Sequence, residues 1–128
     1  MHYLLIICLL CILTRKTFSI VVVNGNSMAG ELCHGDKLLF IRWPFSHFLC
    51  KGMIVISKSP QNRKELTVKR ITGLPGHTII CAETQTHRVL PPGHCFLEGD
   101  NTSVSVDSKV WGPIPLRYVK GVMVFKIR

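Results

Sequence analysis

The chain is 128 residues long and carries a formal net charge of +9, from 16 lysines and arginines against 7 aspartates and glutamates. This length suits one domain with a modest hydrophobic core. The excess of positive charge predicts an anionic partner such as membrane phospholipid, nucleic acid or an acidic protein. The sequence contains no basic run of five residues and no nucleic-acid-binding motif, so we expect a membrane surface and no nucleic acid.

The first 17 residues are predicted to form a short hydrophobic anchor with a basic junction. Residues 3–13 are apolar throughout, and as a helix they would cover about 16 Å, against about 30 Å for the bilayer core. A short anchor, a helix continued by polar residues in the interface, and a signal peptide all fit this length. The segment has neither a basic start nor a clear cleavage site, which favours the anchor.

From residue 18 onwards the pattern is typical of short strands separated by glycine and proline turns. Residues 43–49 are predicted to form an apolar loop. The predicted strands span residues 20–23, 37–41, 53–57, 66–71, 78–80, 87–90, 95–98 and 119–127. This pattern predicts an all-β barrel or sandwich, with one domain over residues 18–128.

We expect no metal and no other cofactor, although six cysteines are present. Two adjacent pairs, Cys33-His34 and His94-Cys95, could each be half of a metal site. Because neighbouring residues of a strand point to opposite faces, each pair would supply only one ligand, and the usual zinc spacing is missing. The irregular cysteine spacing leaves the redox compartment open.

A small nucleophile lies at the end of the first predicted strand. The β-branched run of residues 20–23 leads into the turn Asn24-Gly25-Asn26, and Ser27 follows this turn. Backbone N–H groups near such a turn can point at a developing oxyanion. Most serines in turns only hydrogen-bond the local backbone, so Ser27 needs further support to be considered catalytic.

The fourth predicted strand carries two adjacent cations in different surroundings. Alternation puts Lys69 and Ile71 on one face of the strand, and Val68 and Arg70 on the other. One cation can therefore stay solvated while the other is pushed towards the core. A buried lysine has a lowered pKa and can serve as a general base, whereas two exposed cations on an edge strand are the simpler alternative.

Five short motifs follow one another along the chain. They are Ser27-Met28, Gly35-Asp36, Lys69 to Gly76, Gly99-Asp100-Asn101 with Ser105 to Lys109, and Gly112 to Pro115. Each motif is weak, but in this order they resemble the type I signal peptidase family, whose members use a Ser-Lys dyad. The stretches at residues 56–60 and 92–101 are most similar to the subunit 1 branch of the mitochondrial inner membrane peptidases.

The resemblance implies a role for the residues of the dyad. Ser27 would be the nucleophile, with Met28 next to it in the motif, and its backbone N–H would form part of the oxyanion hole. Lys69 would take the hydroxyl proton and later activate the deacylating water. Ser105 matches the serine that positions the lysine amine.

The resemblance also implies supporting residues. Asp107 and Lys109 match an Asp–Arg ion pair of the family, and a lysine at this position cannot make the two-pronged contact of an arginine. Asp100 is expected to cap or brace its turn. Bacterial members often have a hydroxyl residue two positions before the nucleophile, where this chain has Gly25.

The function implied is that of a membrane-bound serine endopeptidase that removes N-terminal signal or targeting segments from precursor proteins. The expected location is the mitochondrial inner membrane, with the catalytic domain in the intermembrane space. Precursors, membrane lipid and a second homologous peptidase subunit are the expected partners.

Three alternatives remain open at this point. The chain could be a bacterial type I signal peptidase on the outer face of the cell membrane. It could be a non-catalytic partner subunit of such a peptidase, or a basic β-domain that docks on anionic membrane. The presence of both Ser27 and Lys69 in matching motifs argues against the last two.

Overall fold

A computed structural model describes residues 1–42, 48–81 and 84–127, including their side chains except those of residues 14–16 and 81. The predicted apolar loop therefore lies mostly outside the described residues. The helices are α1 (His2–Thr17), α2 (Ser108–Trp111) and a 3₁₀ helix (Leu116–Tyr118). The strands are β1 (Phe18–Val22), β2 (Lys37–Arg42), β3 (Ile54–Lys58), β4 (Leu66–Gly73), β5 (Thr78–Cys81), β6 (Thr86–Val89), β7 (His94–Glu98), β8 (Ile114–Pro115) and β9 (Val119–Ile127).

Seven of these strands form one antiparallel sheet in the order β1-β2-β9-β3-β4-β7-β8, and β5 pairs with β6 as a separate hairpin. The prediction of a mostly β domain is confirmed, and each predicted strand is present within a few residues of its expected bounds. The two-residue strand β8 and the four-residue helix α2 were not predicted. Elements of this length are too short to show a hydrophobic period.

The sheet curls into a half-barrel. Strands β1 and β4 are separated by three other strands in the sheet order, yet residues of both line a single cavity. Such closeness requires the sheet to bend. The register shifts in the β2–β9, β3–β9 and β4–β7 pairings are irregularities that increase the twist of a strand. The bend brings the end of β1 towards the first half of β4.

Two clusters of buried side chains form the core. The first consists of Val23, Met28, Leu32, Leu38, Phe40, Ile54 and Ile56. The second consists of Leu49, Val55, Ile71, Cys95, Leu97, Ile114 and Val119. Met28 in the first cluster directly follows Ser27, so core packing also fixes the turn that carries this serine.

The predicted N-terminal anchor forms α1, which runs into β1 without an intervening loop. The described side chains of α1 are exposed, and those of residues 3–13 are mostly large and apolar. Among the residues that the structure describes, no helix has both the length and the apolar character needed to cross a membrane. The role of α1 as an anchor therefore stays a prediction.

Replacing Phe40 by alanine should destabilise the fold strongly, because this side chain is completely buried in the first core cluster. We expect Phe40→Ala to lower the free energy of unfolding by about 3–5 kcal/mol. Phe125 lies on the neighbouring strand β9 and is 52% exposed, so Phe125→Ala is the matched control and should cost less than about 1 kcal/mol. Urea unfolding of both variants in detergent measures the difference, and equal losses would contradict the core assignment.

Candidate active site

The turn after β1 places Ser27, half-buried, in the wall of a cavity. Gly25 has a φ of 96°, a left-handed conformation that glycine adopts without strain. Met28, which is 1% exposed, anchors the turn in the first core cluster. The structure thus places Ser27 where the sequence predicts it, just past a strand in a glycine-bearing turn.

The loop after β7 holds the Ser27 turn from a distant part of the chain. The backbone N–H of Asn101 donates to the Ser27 carbonyl at 2.8 Å, and its side-chain Nδ2 donates to the Asn26 carbonyl at 3.0 Å. Gly99 packs so closely that an added Cβ would overlap Ser105 Oγ and lie 2.5 Å from the Ser27 carbonyl oxygen. Sequence reasoning identified this loop as a motif and a turn, but assigned no role to Gly99 or Asn101.

Lys69 lies in β4 and is only 4% exposed, whereas the side chain of Arg70 is 28% exposed. This difference matches the separation of the two cations onto opposite faces of the strand and rules out the alternative of two exposed cations. Burial lowers the pKa of Lys69, since an ammonium loses hydration there. The charge of Asp107 opposes this shift and that of Lys109 adds to it.

A chain of hydrogen bonds orients the amine of Lys69. Its Nζ donates to Ser105 Oγ at 3.2 Å, and Ser105 Oγ in turn donates to Asp107 Oδ2 at 2.7 Å. The same Oδ2 accepts the backbone N–H of Gly99 at 2.9 Å. Because the hydroxyl proton of Ser105 points at the carboxylate of Asp107, a lone pair of Ser105 Oγ is available to accept from Lys69. This is the arrangement expected for a serine that positions the amine.

Asp107 is fully buried and caps the N-terminus of α2, where its Oδ1 accepts the backbone N–H of Lys109 at 3.0 Å. The Lys109 side chain is exposed, and no ion pair joins it to Asp107 within the described part of the chain. The predicted ion pair is therefore replaced by a helix cap, in which Asp107 contacts the backbone of Lys109 and not its side chain.

The ion pair at this site instead joins Arg70 to Asp100. Arg70 Nε donates to Asp100 Oδ1 at 2.9 Å and Nη2 to Oδ2 at 2.8 Å, while Nη1 donates to the Gly52 carbonyl at 2.8 Å. The hydrogen bonds to Asp100 raise the pKa of Arg70. This two-pronged contact ties the strand of Lys69 to the loop that holds Ser27, so Asp100 braces more than its own turn.

Ser27 and Lys69 line one cavity of about 440 Å³ between the end of β1 and the start of β4. Among the described residues no hydrogen bond joins Ser27 Oγ to Lys69 Nζ, and the Ser27 N–H has no hydrogen-bond partner. The site therefore brings together a hydroxyl, a lysine whose neutral form is favoured by burial, and a free N–H donor. This combination can perform nucleophilic attack with a stabilised oxyanion.

Comparison with known families decides the class of the chain. The family described as "Signal peptidase, peptidase S26" matches residues 1–86 and 80–127. The chain belongs to the signal peptidase family. It is a serine peptidase of the signal peptidase I type, as the order of its motifs predicts.

Relatives of this signal peptidase are mitochondrial. It is 37% identical over 114 residues to the mitochondrial inner membrane protease subunit 1 of Homo sapiens, covering 84% of this chain and 68% of the human one. The subunit 1 protein of Schizosaccharomyces pombe is 30% identical over 115 residues, covering 86% and 73% of the two chains. The subunit 2 protein of Danio rerio is 34% identical over 106 residues, covering 77% and 58%.

Among solved structures, the chain is similar to a signal peptidase I from Enterococcus faecalis. That match has a TM-score of 0.49 and 22% sequence identity, and it covers 58% of this chain and 95% of the bacterial one. The predicted membership in the signal peptidase family and the resemblance to its mitochondrial branch are both confirmed by the sequence relatives.

The lowered pKa of Lys69 makes stability depend on pH. Between that pKa and the ordinary lysine value of about 10.4, the unfolded chain binds more protons than the folded one, so stability rises with pH. This gain in stability from Lys69 is lost as the pH falls through its lowered pKa. Lys69→Met should remove this rise, whose slope can reach about 1.4 kcal/mol per pH unit.

Urea unfolding between pH 7 and pH 10 measures this slope. We expect Lys69→Met to have a higher free energy of unfolding than the unaltered protein at pH 7. This difference should shrink steadily as the pH rises. Lys120→Met, which removes an exposed lysine of β9, is the matched control and should leave the slope unchanged. Parallel curves for Lys69→Met and the unaltered protein would contradict the burial of the amine.

Proposed function

We propose that this signal peptidase is an endopeptidase of the mitochondrial inner membrane protease type that removes N-terminal targeting segments from precursor proteins. In this proposal Ser27 is the nucleophile and Lys69 the general base. The observation that carries the proposal is that a buried lysine with a lowered pKa, oriented by Ser105, lines the same cavity as Ser27.

The reaction follows from these positions. Neutral Lys69 accepts the proton of Ser27 Oγ while this oxygen attacks the scissile carbonyl carbon. The oxyanion that forms accepts a hydrogen bond from the Ser27 N–H. Lys69 then gives its proton to the leaving amine, which departs and leaves an ester on Ser27. A water molecule, deprotonated by Lys69, hydrolyses this ester and releases the second product.

The walls of the cavity support a peptide substrate with apolar side chains. They include Val21 and Val23 from the β1 side and Leu66 and Val68 from β4. Strand β1 is first in the sheet order, and among the described strands none pairs with its outer edge. An extended peptide can add to such an edge through backbone hydrogen bonds and bring its scissile bond to Ser27.

The location follows from the relatives, which are named inner membrane proteases of mitochondria. We place this peptidase at the mitochondrial inner membrane, with its catalytic domain in the intermembrane space. The basic pair Arg15-Lys16 opposes this orientation, because positive charge favours the non-translocated side. Relatives named subunit 1 and subunit 2 support a second homologous peptidase subunit as its partner.

A surface next to α1 supports contact with lipid. On one face of the sheet, Ile20 of β1 pairs with Leu39 of β2, and Leu39 pairs with Phe125 of β9. Ile20 and Phe125 are exposed. Phe18 is also exposed, and it is the first residue of β1, directly after α1. We call Phe18, Ile20, Leu39 and Phe125 the apolar row. Together with the net charge of +9, it suits an anionic membrane surface.

Substitution of the dyad should abolish cleavage. Ser27→Ala, Lys69→Met and Lys69→Arg are each expected to lower kcat/KM by at least about 1,000-fold, since arginine keeps the charge but does not deprotonate. Cleavage of a precursor that carries a targeting segment, followed by mass spectrometry, measures the loss. Lys120→Met is the control on an exposed lysine.

The outcomes separate the alternatives. Activity retained by Ser27→Ala would remove the nucleophile assignment. Full activity of Lys69→Arg would make Lys69 an electrostatic residue and not a base. The unaltered protein is also tested together with an active and with an inactivated partner subunit. If cleavage of the precursor requires the active partner, this chain is a non-catalytic subunit.

The apolar row and α1 should both contribute to membrane binding. We expect deletion of residues 1–17 to weaken flotation with vesicles of anionic phospholipid, and Ile20→Asp with Phe125→Asp to weaken it further. Ile80→Asp is the matched control, because Ile80 is an equally exposed isoleucine of the separate β5–β6 hairpin. If Ile80→Asp weakens binding as much as the double variant, exposed apolar side chains anywhere on the protein contribute equally to membrane binding, and the apolar row has no special role.

A further inference from the structure

A histidine that sequence reasoning considered as a metal ligand, His34, contacts the turn of the nucleophile. The backbone N–H of Gly25, two residues before Ser27, donates to Nδ1 of His34 at 2.9 Å. Nδ1 must be unprotonated to accept this bond, so the ring proton of the neutral side chain is on Nε2. His34 is absent from the lining of the cavity that holds Ser27 and Lys69, and among the described residues no hydrogen bond joins its ring to either of these side chains.

The segment that carries His34 is itself firmly held. The Val23 N–H donates to the Asp36 carbonyl and the Gly35 N–H to the Val23 carbonyl, both at 2.8 Å. The carboxylate of Asp36 accepts the N–H of Cys33 at 2.8 Å. These bonds close the base of the loop between β1 and β2, and they hold the His34 backbone beside Gly25.

The nucleophile turn is therefore held by two other parts of the chain. Asn101 donates to the carbonyls of Asn26 and Ser27. The peptide N–H of Gly25 donates to the His34 ring. Gly25 lacks a side chain and has a φ of 96°, so its backbone can rotate more freely than that of other residues. Among the described residues, the bond that this N–H donates to His34 is the one that restrains it.

We propose that His34 is a positioning residue for the nucleophile: its Nδ1 fixes the Gly25 peptide and thereby the direction in which Ser27 Oγ points. This inference rests on the proposed function of Ser27. The bond also commits the Gly25 N–H to His34, so this N–H does not serve the oxyanion, and the Ser27 N–H is left for that purpose. The imidazole acts through the backbone and takes no proton from Ser27.

The test compares two replacements of His34. His34→Ala removes the acceptor, while His34→Asn keeps an acceptor, Oδ1, at the branch position that Nδ1 occupies. We expect His34→Ala to lower kcat about 10-fold with KM nearly unchanged, because a small misplacement of a nucleophile slows the chemical step more than binding. His34→Asn should restore kcat to within about 2-fold of the unaltered protein.

A matched control comes from another turn of the chain. His77 Nδ1 accepts the N–H of Leu74 at 3.2 Å, an equivalent bond that lies outside the cavity of Ser27. His77→Ala should therefore keep kcat unchanged. Urea unfolding of His34→Ala and His77→Ala should give similar midpoints. If His34→Ala fails to fold, His34→Gln replaces it, since its longer side chain moves the acceptor away from Gly25 and should also lower kcat.

The outcomes distinguish this inference from the proposed function. If Ser27→Ala cleaves the precursor, the proposed function fails whatever the His34 variants do. If Ser27→Ala is inactive but His34→Ala or His34→Gln keeps full kcat, only the role of His34 fails. Equal losses in His34→Asn and His34→Ala would also overturn it, because the acceptor would then not matter.

Discussion

The burial of one lysine amine is the constraint on which the rest of the site depends. An ammonium removed from water is unfavourable, so the protein must either pair it or favour its neutral form. Among the residues that the structure describes, Lys69 Nζ donates to the hydroxyl of Ser105, and the carboxylate of Asp107 lies one hydrogen bond further away. The pKa of Lys69 is therefore lowered overall, although Asp107 opposes the shift. A direct ion pair would have kept the lysine charged and unsuited to accept a proton.

This arrangement needs segments that are far apart in the chain to meet within a few ångströms. The turn of Ser27 follows the first strand, Lys69 is in the fourth, and Ser105 follows the seventh. The curl of the sheet brings the first and fourth strands together, and the loop of residues 99–101 joins the two. Gly99 allows the approach because any side chain would overlap Ser105. Backbone packing therefore sets the geometry of the site as much as the side chains of Ser27 and Lys69 do.

A single strand connects the apolar helix to the turn of Ser27. Strand β1 starts directly after α1 and leads within a few residues to Ser27. Its outward side chains, with those of β2 and β9, form the apolar row, while its inward side chains belong to the core and to the cavity. In the proposed function, this proximity would place the site of cleavage close to the surface proposed to contact lipid.

The sequence by itself determined the strands and the position of Ser27, and it placed Lys69 and Arg70 on opposite faces of their strand. These depend on local rules: β-branched runs form strands, glycine forms turns, and alternation separates Lys69 from Arg70. The order of the motifs was also enough to predict the family. Only the tertiary structure decided which groups meet. The pair of Arg70 and Asp100 is separated by 30 residues, and the bond from Asn101 to Asn26 by 75.

The contacts of Asp107 and His34 show why such partners could not be predicted. The resemblance to the signal peptidase family implied an ion pair between Asp107 and Lys109, yet the carboxylate accepts the backbone N–H of Lys109 at the start of a helix too short to be predicted. His34 was considered for metal binding because it follows a cysteine, and its partner proved to be a backbone N–H nine residues away. Hydrogen bonds to the backbone leave no trace in side-chain patterns, because every residue except proline offers the same N–H group.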